Sequence, residues 1–126
     1  MNSSTANLGR AGEETAVIYL EGKGIKILER NFRSRSGEID IIARDGETVV
    51  FVEVKAWSTY GIDALEQSLN SKKRHKIIET SKYFLTVHRE YRYMAIRFDV
   101  IFVSSGPVGP CANEITHIES AFTECV

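Results

Sequence analysis

With two prolines, two cysteines and nine glycines among 126 residues, the chain has little of what marks disordered, disulfide-framed or collagen-like proteins. Long apolar runs are also missing. Stretches such as Val49-Val50-Phe51-Val52 fall far short of the roughly 20 residues that span a bilayer. The opening Met1–Asn7 segment has neither the basic nor the apolar part of a secretion signal. Cys111 and Cys125 stand near the end, where a bridge would tie down only the tail. These absences lead us to expect a cytoplasmic protein with free thiols and no membrane partner. What remains is an ordinary globular composition, 43% hydrophobic and 26% charged, at a length that suits a single domain over residues 1–126.

The net charge of -1 hides an asymmetry. All 16 Lys and Arg fall within residues 1–97 beside 13 Asp and Glu, a net of +3, whereas residues 98–126 carry four acids and no base. Two clusters concentrate the positive charge, Arg30-Asn31-Phe32-Arg33-Ser34-Arg35 and Lys72-Lys73-Arg74-His75-Lys76. Arg33, Arg35, Lys72 and Lys73 are candidate contacts for a phosphate backbone, because Lys and Arg supply most of the affinity for nucleic acid. A solvated loop and helix start would look the same, and a near-neutral chain is not a strongly basic nucleic-acid binder.

Periodicity predicts a helix from about Leu8 to Glu21, with an apolar stripe at Ala16, Val17 and Leu20 and a stop at Gly22-Lys23-Gly24. Glu13 falls on the same stripe. An acid there is costly unless paired or ligated, although an acid in a first turn also complements the helix dipole; both readings stand. Strands are expected at Ile25–Phe32, Ile39–Ala43 and Glu47–Lys55, with a turn at Ser34–Gly37 and a tight hairpin at Asp45-Gly46. Residues from about Ala64 to Val87 read as helical, interrupted at Asn70-Ser71, where Ser71 would cap the second part. Arg97–Val103 is the last clear strand, before the Gly106–Pro110 loop and a short terminal segment. Helix, three strands, helix, strand defines an α/β fold with a mixed sheet flanked by helices. The final strand should return parallel to its partner by a right-handed crossover.

The chemistry concentrates on the central hairpin. If Asp45 and Gly46 form its loop, Arg44 pairs with Glu47 and Asp40 lies opposite Phe51. Asp40, Phe51, Glu53 and Lys55 then project from one face. Asp40 and Glu53 become diagonal neighbours, roughly 7–8 Å apart at the backbone, and their carboxylates can converge on one ion. The third strand is apolar on both faces, so Glu53 and Lys55 emerge at the end of a buried strand, where unpaired charge is expensive. An internal ion pair would satisfy them. So would a hard-oxygen site for Mg²⁺ or Mn²⁺, with Glu13 supplied by the adjacent helix. Such an ion polarises a phosphoryl oxygen and acidifies a bound water, while a neighbouring lysine stabilises charge building on phosphorus. Phosphodiester hydrolysis fits these parts. His75, His88 and His117 show no metal-ligand spacing, and surface or local hydrogen-bonding roles are expected of them.

Gly37-Glu38-Ile39-Asp40, a hairpin, and Phe51-Val52-Glu53-Val54-Lys55 together resemble the PD-(D/E)XK nuclease signature. The wider pattern resembles the YraN-type family of endonuclease-like proteins, which are similar to Holliday-junction resolvases. Gly9-Arg10-Ala11-Gly12-Glu13, Arg30-Asn31, Lys73, Arg97-Phe98-Asp99-Val100 and the Ile118–Phe122 segment carry that likeness over most of the chain. The resemblance implies a restriction-endonuclease-like αβββαβ core and a metal-dependent endonuclease acting on DNA, branched DNA included, as a homodimer. It implies Asp40 and Glu53 as metal-binding acids, Lys55 as the catalytic lysine and Glu13 as the helix-borne acid that completes the metal site. Glu38 would orient the site or bind a second ion, and Lys73 would contact phosphate. Arg97 and Asp99 match a last-strand motif, either as an ion pair or as catalytic groups. Where the family has an arginine after the catalytic lysine, this chain has Trp57, an aromatic that would stack on a base or pack at an interface. The competing expectations are a non-catalytic nucleic-acid-binding accessory module of the same fold, and an interaction protein whose acids are paired internally.

Overall fold

Gly12, Ala16, Val17 and Leu20 form the buried face of α1 (Ser3–Gly22) in the computed structural model, which describes residues 3–57, 69–105 and 113–123 and the side chains of 12–55, 69–104 and 115–123. The helix starts at Ser3 rather than Leu8 and ends where expected. Gly24, at φ 82°, takes the left-handed position that closes it. The Gly24 N–H donates to the Glu21 carbonyl and the Ile25 N–H to the Leu20 carbonyl, each at 3.0 Å, and Ile25 packs with Leu20 in the same apolar cluster. This is the glycine-dependent stop that satisfies the last helical carbonyls.

After α1 come β1 (Lys26–Ser34), β2 (Gly37–Asp45), β3 (Thr48–Trp57), α2 (Ser71–Val87), a single 3-10 turn at Arg89–Tyr91, β4 (Ala95–Ser105) and β5 (Asn113–Phe122). The five strands form one sheet in the order β1-β2-β3-β4-β5. β3 and β4 pair in parallel and the other neighbours antiparallel. The expected mixed α/β architecture is therefore present, with a fifth strand where only a short terminal segment was expected. Asn70, not Ser71, caps α2: its Oδ1 accepts the Lys73 N–H at 2.9 Å. The first part of the expected second helix, the Gly106–Pro110 loop, Cys111, Cys125 and the Trp57 side chain lie outside the described residues.

The sheet is covered on both faces. α1 packs Ala16, Val17 and Leu20 on Ile41, Ala43, Val50, Val52, Ile101 and Val103. On the other face, α2 packs Ile77, Ile78 and Phe84 on Ile42, Val49, Phe51, Phe98, Val100 and Phe122. Val49 to Val52 are each at most 1% exposed, so β3 is the strand buried from both sides, and each such side chain stabilises the fold by about 1.5–3 kcal/mol. Among the described residues no helix is long and apolar enough to cross a membrane.

The β1–β2 hairpin leans on α2. Ser34 pairs with Gly37 across its turn, the Ser34 hydroxyl donates to Thr80 Oγ1 at 3.4 Å, and a Cβ added to Gly37 would stand 3.5 Å from both Lys76 Cβ and Thr80 Oγ1. At φ 151° that position suits glycine in any case. This contact brings two basic clusters some forty residues apart in sequence towards one another: Arg33 and Arg35 adjoin Ser34, and Ser34 and Gly37 meet α2 at Lys76 and Thr80.

The β2–β3 register departs from expectation. Asp45 pairs with Thr48, so the loop is Gly46-Glu47 rather than Asp45-Gly46. Gly46 at φ 60° leads the turn, as a type II′ hairpin requires, whereas the Asp-Gly signal had suggested glycine in the second place. The shift moves every pairing by two positions and leaves the faces unchanged. Asp40 and Glu53 become direct rather than diagonal neighbours.

Candidate active site

The β2–β3 ladder ends at Ile41↔Val52, but β3 continues along β4 as far as Trp57↔Ser104. Past Val52 the second and third strands therefore splay. The next residues in register are Asp40 and Glu53, and the backbone hydrogen bond that the opening removes is replaced by a side chain. Asp40 Oδ2 accepts the Val54 N–H at 2.8 Å, which satisfies a donor that the departing strand would otherwise leave unpaired. The notch thus places Asp40, Glu53 and Lys55 where a buried strand begins to meet solvent.

The electrostatics of the notch are unbalanced. Burial, together with the hydrogen bond and negative charge of Glu53, pushes the Asp40 carboxyl up to about 7, against the opposing pull of the Val54 N–H and Lys55. Burial also holds the Lys55 ammonium below its ordinary value, with Lys73 beside it adding to the shift and Glu53 and Asp40 resisting it. Lys73 reaches in from the first turn of α2, its Nζ 3.9 Å from Glu53 Oε2, whose side chain is only 14% exposed. Two acids and two lysines thus share one partly desolvated pocket.

The other expected site residues fall around this group. Glu13 Oε1 accepts from Asn31 Nδ2 at 2.9 Å and from Arg30 Nη2 and Nε at 3.2 and 3.3 Å. Asn31, in the left-handed conformation at φ 53°, stands across from Asp40 between the pairs Arg30↔Ile41 and Phe32↔Ile39, so the Glu13–Asn31 pair lies one strand over from Asp40. Glu38 pairs with Arg33 at 3.1 Å, both side chains well exposed, an arrangement of small energetic weight. Arg35 and Lys72 are exposed.

Sequence reasoning under-read His117. Its ring is buried between α1 and the sheet, its side chain 4% exposed. Asp99 accepts at Oδ2 from His117 Nε2 at 2.7 Å and from Arg97 Nη2 at 3.0 Å. At Oδ1 it accepts from Arg97 Nε at 2.9 Å and from the Ser120 N–H at 3.0 Å. The Tyr19 hydroxyl meets His117 Nδ1 at 3.1 Å. Burial alone would raise the Asp99 carboxyl, but His117, Arg97 and the Ser120 N–H together hold it below the usual carboxylate range. Asp99, His117 and Glu119 bring ligand atoms within 4.8 Å of one another, yet the Arg97 guanidinium pairs with both Asp99 and Glu119. A cation already fills that place, and the group is a closed structural network. Of the two roles open to Arg97 and Asp99, the geometry is that of the ion pair. The only sequence signal for the network was Arg97-x-Asp99 on an apolar strand.

The chain matches the model of a family described as Uncharacterised protein family UPF0102 over residues 12–103. Among curated relatives, a UPF0102 protein of Syntrophus aciditrophicus is 47% identical over 122 residues, covering 94% of this chain and 91% of that protein. One from Persephonella marina is 45% identical over 114 residues, with 90% and 91% covered. One from Treponema denticola is 42% identical over 126 aligned residues, with 94% and 97% covered. With the family model spanning most of the chain and relatives matched nearly end to end, the protein belongs to the UPF0102 family.

Proposed function

We propose that the protein is a metal-dependent endonuclease that hydrolyses phosphodiester bonds in DNA, with branched DNA of the Holliday-junction type as the substrate class to test first. The observation that carries this reading is the pair Asp40 and Glu53, facing each other where β2 and β3 part, with Lys55 two residues along the same strand. On this reading the fold is a restriction-endonuclease-like core and the motif that of the PD-(D/E)XK nucleases and the YraN-type group. Two such sites in a cytoplasmic homodimer would suit paired cuts across a junction.

The donor set fits a divalent cation. Hard carboxylate oxygens are what Mg²⁺ and Mn²⁺ take, and an Asp40 carboxyl raised to about 7 by burial and by the second acid is one whose ionised form a bound cation would favour. Asp40 and Glu53 would hold the ion, while Glu13 fixes Arg30 and Asn31 beside them. When bound, the ion supplies polarisation of a phosphoryl oxygen and a more acidic water. The chain itself does the rest. Lys55 places positive charge where the phosphoryl oxygens gain negative charge. Lys73 leaves Glu53 for a phosphate, and Lys72, Lys76, Arg33 and Arg35 line the approach of the backbone.

The test is cleavage of an end-labelled four-way junction and a linear duplex of the same sequence, in Mg²⁺ and in EDTA. Cleavage should require the ion, and Lys55→Met should slow it about a hundredfold. Tight DNA binding with no cleavage under Mg²⁺ or Mn²⁺ would favour the accessory-module reading instead.

A further inference from the structure

The first turns of α2 present two faces. Lys73 points to the acids, whereas Ser71, Arg74, His75 and Ile78, at helical spacing, share another face. That second face and the end of β5 enclose a cleft of about 760 Å³, closed on the β5 side by Ser120, Ala121, Phe122 and Thr123. The volume lies within the range of ligand pockets. Its floor is apolar, from Ile78, Ala121 and Phe122, and its rim carries Arg74 and His75, with no acid among the described lining residues. The Arg74 guanidinium has no ion-pair partner among the described residues, unlike Arg30, Arg33, Arg44 and Arg97.

The position of the cleft relative to the acids follows from the sheet. Phe51, two residues before Glu53, pairs with Phe98, and Phe98 pairs with Phe122; the three rings stack in a row at 5.6 and 5.0 Å. At about 4.8 Å between strands and 3.4 Å per residue, the cleft floor stands roughly 12 Å from Glu53 on the same face. Three or four stacked base steps cover that distance.

We propose that this cleft binds an unpaired nucleotide of the nucleic-acid strand, its phosphate on Arg74 and His75 and its base against Ile78, Ala121 and Phe122. The proposal rests on the nucleic-acid reading above and deepens it: the substrate carries an unpaired nucleotide a fixed few steps from the cut, as at a branch or a flap. An apolar floor with a cationic rim separates this ligand from a bare anion, which needs no floor, and from a paired duplex, whose bases are not available to the cleft.

The experiment is calorimetric titration with a 5′-phosphorylated thymidine tetranucleotide in EDTA, with inorganic phosphate as the second probe. The wild type should bind the tetranucleotide at least tenfold more tightly than phosphate. Arg74→Ala and Ser71→Glu should each weaken it at least tenfold, and Arg89→Ala should not. Arg74 and Ser71 are exposed, and an acid at the first position of α2 suits the helix dipole, so both variants should fold. Unchanged affinity in these two variants, equal affinity for phosphate, or no tetranucleotide binding by the wild type would overturn the proposal. The nuclease reading fails separately, by tetranucleotide binding that persists while no divalent ion produces cleavage.

Discussion

Replacing Asp40 by Asn is expected to lower metal-dependent cleavage at least about a thousandfold, a loss of ~4 kcal/mol of transition-state stabilisation, while making the metal-free protein more stable. The second effect follows from the raised carboxyl. Its ordinary value is 3.8 and its folded value about 7, so the folded state holds the Asp40 proton more tightly than the unfolded chain does. The stability this confers is fully present below pH 3.8 and is lost as the pH climbs through 7. An asparagine keeps an oxygen for the Val54 N–H and carries no charge to desolvate. In EDTA the variant should therefore exceed wild type by about 2 kcal/mol at pH 8, after discounting for partial exposure, and by less at pH 5. Chemical denaturation at the two pH values measures the difference. Added Mg²⁺ should then stabilise wild type and not the variant, since only a state that binds the ion gains from it. A variant less stable than wild type at pH 8 in EDTA would mean that Asp40 is held by favourable pairing and not strained by burial beside Glu53.

Asp99→Ala is expected to have the opposite character, a destabilisation of about 3–5 kcal/mol and no role that metal can rescue. Asp99 is 1% exposed and accepts four hydrogen bonds, from Arg97 twice, His117 and the Ser120 N–H. Its removal strands a guanidinium whose side chain is 19% exposed. It also unsupports the irregularity between Phe98 and Val100 where β5 pairs with β4, and there Ser120 sits at φ 52°. The pH dependence also reverses. The Asp99 carboxyl is held below its ordinary value, so its contribution is present above pH 3.8 and is lost as the pH falls through the folded value. Thermal unfolding of Asp99→Ala and Asp99→Asn at neutral pH checks this. The asparagine should recover little, because its NH₂ must face either Arg97 or His117, both donors. A drop of less than about 1 kcal/mol in either variant would show the network to be incidental.

Much of this was legible before the structure because the relevant patterns are local. The apolar stripe of α1, the Gly24 stop and the two-sided burial of β3 follow from side-chain periodicity, and the acids of the notch share a face by the two-residue repeat of a strand. That inference survived a misplaced turn because the error was an even shift: Gly46 leads its hairpin instead of following, which changes partners and not faces. The splay after Val52 was not legible, since it depends on β3 following β4 rather than β2. The shifted turn, and not the splay, is why Asp40 looked like a diagonal neighbour of Glu53 instead of its opposite. Lys73 was read as a phosphate contact, and only the packing of α2 places its ammonium on Glu53. A hydrogen-bonding role was among those expected of His117 and is present, but its partners and its burial were not legible for the same kind of reason. Tyr19 lies 98 residues away in sequence, and no spacing rule connects the two.

The most direct test of the central claim is calorimetric titration of Mn²⁺ into the wild-type protein and an Asp40→Asn/Glu53→Gln double variant at pH 8. The account predicts a binding isotherm for wild type that disappears in the double variant, with both proteins folded. Equal binding by the two would place the ion elsewhere, and no binding by wild type would remove the support for a cation in the notch of β2 and β3.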